Sequence, residues 1–110
     1  MRVVAIPTDQ ILDWPSFHDV FAKAMGFPRF YGRNLDAFVD CMRSLDTPND
    51  GLSSVKVESG GLVTLDLGAG QAFRERCPDQ YAAVVEISAW INAERLDRFG
   101  EPPLIALAFH

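Results

Sequence analysis

Three short apolar segments, residues 2–6 (RVVAI), 62–67 (LVTLDL) and 104–109 (LIALAF), are separated by stretches with helical spacing. This order constrains the fold more than any other feature of the chain. A strand that is followed by helices before the next strand cannot turn back as a tight hairpin. It returns over a sheet face and pairs in the same direction. The order strand, two helices, strand, two helices, strand therefore predicts a small α/β domain, a three-stranded parallel sheet packed by about four helices. Each strand is expected to be buried, the first ending at Pro7. At 110 residues the chain fits one domain, residues 1–110, able to bury a single core without disulfides.

Punctuation marks the helices. Asp13 is placed to cap the first, with Pro15 in its first turn and Gly26 at its end, and Phe17, Val20, Phe21 and Ala24 form its apolar stripe. Asn34 is the expected N-cap of the second. The longest helical stretch, residues 78–99, carries Val84, Ile87 and Ile91 on one face. Residues 46–61 (DTPNDGLSSVKVESGG) are rich in Gly, Ser, Asp and Asn. They read as a surface loop outside the core, with a short extended piece at residues 55–58.

Charge narrows the function. The formal net charge is −5, which argues against direct nucleic-acid binding and suits a basic partner. Cys41 and Cys77 lack the spacing of a redox or metal motif and are expected as two free thiols. The opening residues contain too few apolar residues for an export signal, and no run approaches membrane-spanning length, so a cytoplasmic location is expected.

The stretch FPRFYGRNLDAFVDCMRSL, residues 27–45, concentrates the recognisable chemistry. At 100° per residue its helical part places Leu35, Phe38, Met42 and Leu45 on one arc. Asp36, Asp40, Arg43 and Ser44 fall opposite, with Val39 and Cys41 at the borders. Two reasons for the aspartates stand side by side. Asp36 suits the first helical turn and Asp40 a solvated face, or the pair is a binding surface for a cation. Arg43, at i+3 of Asp40, is placed to compensate it in part.

Enzymatic readings find little support. Of the two histidines, His18 lies beside the apolar stripe of the first helix and His110 ends the sequence. Neither belongs to a nucleophile motif. No zinc motif occurs, and the GAG turn after residue 67 lacks the spacing of a nucleotide-binding loop. The chain is expected to be no enzyme and to need no cofactor or metal.

Pro28, Phe30, Tyr31, Gly32, Asn34, Leu35, Asp36, Ala37, Asp40 and Cys41 together resemble the signature of the barstar family of ribonuclease inhibitors. The element order is similar over the whole chain. The resemblance implies a protein that plugs the basic, RNA-binding active site of a ribonuclease, acting as an antitoxin or immunity protein. By the same resemblance Asp40 matches the central acidic contact and Asp36 a second one. Phe30, Gly32 and Asn34 match contacts of the preceding turn; packing, turn geometry and helix capping are their ordinary alternatives. Some positions depart from the pattern. Val39 and Leu45 stand where the founding member has tryptophans, and Arg29 and Arg33 where it has acids. An acidic contact of its last helix falls here near Ala93 or Glu94, and Asp46 and Asp50 are further loop acids. These departures imply a different cognate ribonuclease. The alternative is a barstar-fold interaction module with a non-nuclease partner.

Overall fold

The computed structural model describes residues 1–110. Strand β1 (Arg2–Ala5) leads through a 3₁₀ turn (Thr8–Gln10) to helices α1 (Trp14–Met25) and α2 (Leu35–Arg43). Strand β2 (Val63–Asp66), helices α3 (Gly70–Arg76) and α4 (Pro78–Phe99) and strand β3 (Ile105–Ala108) follow. The sheet is parallel throughout in the order β1-β2-β3, with Val4 opposite Leu65 and Leu65 opposite Leu107. The α/β architecture expected from the element order is present.

The helices start and stop where their end residues require. Asp13 accepts from the Ser16 N–H at 2.9 Å, and Ser16 Oγ accepts from the Asp13 N–H at 3.0 Å, a reciprocal cap that satisfies two otherwise orphaned donors. Gly26 closes α1 in the left-handed conformation, φ 67°. A Cβ at this position would overlap Ser54.

One contiguous core holds Phe17, Phe21 and Met25 of α1, Phe38 and Met42 of α2, Phe73 of α3, and Val84 and Ile91 of α4. All of them lie with Val63 and Leu65, the buried face of the central strand, and with Leu67 just beyond it. Phe38 sits among the aromatic rings, 5.2 Å from Phe17 and 5.1 Å from Phe21 between centroids.

Two expectations are corrected. The strands are not all buried, because the helices cover one sheet face only. On the other, Thr64, Asp66, Ala106 and Ala108 are half-exposed, and β1, at the sheet edge, has Val3 58% exposed. The segment 46–61 forms no helix or strand, but it does contribute to the core. Val55 is buried, and Leu52 and Val57 pack against the core. Ser53 Oγ donates to the Met25 carbonyl at 2.7 Å, the Val55 N–H donates to the same carbonyl at 3.2 Å, and the Val57 N–H donates to Leu45 O at 2.9 Å. These bonds occupy carbonyls that the end of α1 and the segment after α2 would otherwise leave open.

Candidate functional site

The turn 27–34 and α2 build one exposed surface. Tyr31 anchors it: its side chain is buried, and its hydroxyl lies 2.5 Å from His18 Nδ1. His18 was expected beside the stripe of α1 but is itself buried, edge-on to Phe17. Burial lowers the His18 pKa, with Arg33 adding to the effect, and burial pushes the Tyr31 hydroxyl up. The Tyr31 hydroxyl therefore keeps its proton and shares one hydrogen bond with a neutral ring.

Arg33, not Gly32, takes the left-handed position of the turn, φ 54°. Its guanidinium holds that strained residue in place by pairing with Asp19 at 2.5 Å and donating to the Pro15 carbonyl at 3.1 Å. A side chain at Gly32 would press on Asn34 Nδ2. Asn34 caps α2, its Oδ1 accepting from the Ala37 N–H at 2.8 Å. Phe30 makes little use of its ring in packing, being 75% exposed.

Along α2, Phe38, Met42 and Leu45 are buried as the periodicity predicts, and Leu35, at the helix start, is 37% exposed. Asp36 and Asp40 are exposed, with half-buried Val39 beside Asp40. Neither carboxylate forms an ion pair, although arginines precede and follow them in sequence. Arg43 does not compensate Asp40. It reaches α4, where it pairs with Glu94 at 2.8 Å and lies over the Trp90 ring at 5.7 Å. Half-exposed Trp90 was not anticipated, because only the packing of α2 on α4 brings it beside the signature.

The other candidate acids are already matched. Glu94 faces Arg43 and Arg98. Asp46 is held by Arg95 at 2.7 Å, within a network that includes Glu101. Asp50 bonds to Lys56 at 2.7 Å, and this contact together with the Leu52 N–H lowers its pKa against the opposing effect of burial. No group of three or more His, Cys, Asp or Glu residues could hold a metal ion, and no helix is long and apolar enough to cross a membrane. Cys41 and Cys77 are both buried free thiols.

A three-stranded parallel sheet with four helices on its core, the second capped by asparagine and bearing unpaired aspartates, defines a small α/β protein of barstar type. The family model described as Barstar (barnase inhibitor) matches residues 1–107, and the chain belongs to that family of ribonuclease inhibitors. No curated protein matches the chain in sequence.

Proposed function

We propose that this protein inhibits a basic ribonuclease by placing Asp36 and Asp40 among the cations that bind RNA phosphates. One observation carries the reading. The two carboxylates are exposed and unpaired, while Arg33 and Arg43 are drawn away to Asp19 and Glu94. A solvated helix face has no need of such an arrangement, whereas an anionic plug does. Phe30, Gly32, Asn34 and Val39 frame the carboxylates and shape the surface that meets the partner. Asp36 and Asp40 form charge-assisted hydrogen bonds to Arg, Lys or His of the nuclease, and inhibition follows from blocking access to RNA. Family membership supports a ribonuclease over a non-nuclease partner, and the reading places the protein in the cytoplasm as the antitoxin of its nuclease.

The test is Asp40→Ala, with affinity for the cognate ribonuclease and folding stability measured together. Stability should move by no more than about 0.5 kcal/mol, the usual limit for an exposed site. Affinity should fall by about 2–5 kcal/mol, mostly through faster dissociation, as when one partner of a buried interfacial charge pair is removed. Undiminished inhibition by the variant would refute the plug.

A further inference from the structure

The two edges of the sheet are finished differently. At β3, Asn92 of α4 closes the outer edge. Its Nδ2 donates to the Ile105 carbonyl at 2.8 Å, and its Oδ1 accepts from the N–H groups of Leu104 at 2.9 Å and Ile105 at 3.1 Å. β1 has no such guard. The N–H groups of Arg2 and Ile6 donate to the carbonyls of Leu62 and Asp66. By the two-residue period of a strand, the main-chain groups of Val3 and Ala5 therefore turn away from β2. An edge left open in this way is a template for another strand.

Beside this edge lies a groove of about 300 Å³ between β1 and α1, lined by Ala5, Pro7, Gln10, Val20, Lys23 and Ala24. A strand added to β1 would direct alternate side chains towards it. Two exposed cations flank the edge, Arg2 in β1 and Lys23 in α1, and neither forms an ion pair, in a chain of net charge −5. The nearby acids are directed elsewhere. Asp19 pairs with Arg33, and Asp9 lines a separate hollow with Gly68 and Arg76.

We infer that the β1 edge takes up an extended acidic segment of a partner protein as an additional strand. Main-chain bonds to Val3 and Ala5 would hold it, with an apolar residue in the groove and flanking carboxylates on Arg2 and Lys23. A second copy of this chain is a poorer occupant, because antiparallel pairing of β1 with itself brings Arg2 of each copy to the Ala5 end of the other, where Lys23 lies. The inference is independent of Asp36 and Asp40.

The probe is a short blocked peptide with a central valine, glutamate two positions to either side and threonine between. Titration is followed through the backbone amide resonances of the intact protein. Val3, Ala5 and the Val20–Ala24 turn should shift. A counterpart with lysine for glutamate should bind at least about tenfold more weakly, although the net charge of the protein favours it. Replacing both cations (Arg2→Glu with Lys23→Glu) should invert this preference. The glutamate peptide N-methylated at alternate amides should not bind, a control that leaves the protein unaltered. The inference is overturned if the lysine or N-methylated peptide binds equally well. Absence of shifts up to about 1 mM peptide, the range of weak complexes, or self-association through β1 would overturn it too.

Discussion

At the scale of single residues, the acidity of the exposed face of α2 depends on where two arginines go. Arg43 is one helical turn from Asp40 and is kept from it by Glu94 and the Trp90 ring. Glu94→Gln loosens that hold and lets Arg43 swing towards Asp40. Affinity for the ribonuclease should fall by about 0.5–1 kcal/mol, with a stability change of similar size or less, as expected for a partly exposed pair. Unchanged affinity in a paired inhibition assay and melt would show that Glu94 has no such role. His18 gives a second prediction. Its folded pKa is lowered, chiefly by burial, so the folded state takes up its proton at lower pH than the unfolded chain does, near 6.5. The stability from this group is complete above that value and is lost as pH falls through it. Urea melts at about pH 7.5 and 5.5, on either side of the unfolded value, should show a loss that is smaller in His18→Gln. An equal loss in both proteins would assign the pH dependence elsewhere. The caps Asp13 and Asn34 were legible in the sequence because a cap is a local interaction. The partners of Arg33, Arg43 and Arg95 were not, because each depends on which elements become neighbours.

At the scale of elements, helical periodicity was the reliable signal: Phe38, Met42 and Leu45 are buried as their spacing required. The succession of strands and helices along the chain was legible too, but strand burial was not. An apolar run of four or five residues looks the same at the edge of a sheet as at its centre, and only the order β1-β2-β3 exposes Val3. The segment 46–61 misled for a related reason. Its composition is that of a loop, and average composition hides the one residue of it that is an apolar member of the core. Val55 closes the core beneath the end of α1, where the bare Gly26 lets the chain approach closely enough for Ser54 N–H to donate to Met25 and Gly26. Val55→Ala should therefore destabilise the protein by about 2 kcal/mol, from the buried methyls lost and the cavity left. Asn49→Gly, at an exposed position already at φ 62°, should leave stability nearly unchanged or raise it slightly. Denaturant midpoints of the two variants separate a docked segment from a free one, and equal midpoints would restore the free loop.

At the scale of the whole molecule, the charge of −5 poses a question that the fold helps to answer: whether the total charge or the local face would draw in the proposed basic partner. The radius of gyration is 13.2 Å, larger than the Debye length of about 8 Å at physiological ionic strength. Charges far from the interface are then largely screened before the partner arrives, and those on α2 are not. Asp79 provides the comparison. It lies at the exposed start of α4, eleven residues before Trp90, or about 16 Å at 1.5 Å per residue. If Asp36 and Asp40 form the docking surface, Asp79→Asn should leave the association rate nearly unaltered near 0.15 M salt. It should slow association at about 0.01 M, where the Debye length of about 30 Å exceeds that separation. Asp40→Ala should slow association at both concentrations, because its charge acts at contact distance, and should also speed dissociation. Stopped-flow rates for both variants at the two salt concentrations decide the matter. Equal slowing by the two substitutions at physiological salt would mean that steering reads the charge of the whole protein and that α2 has no special part in the encounter.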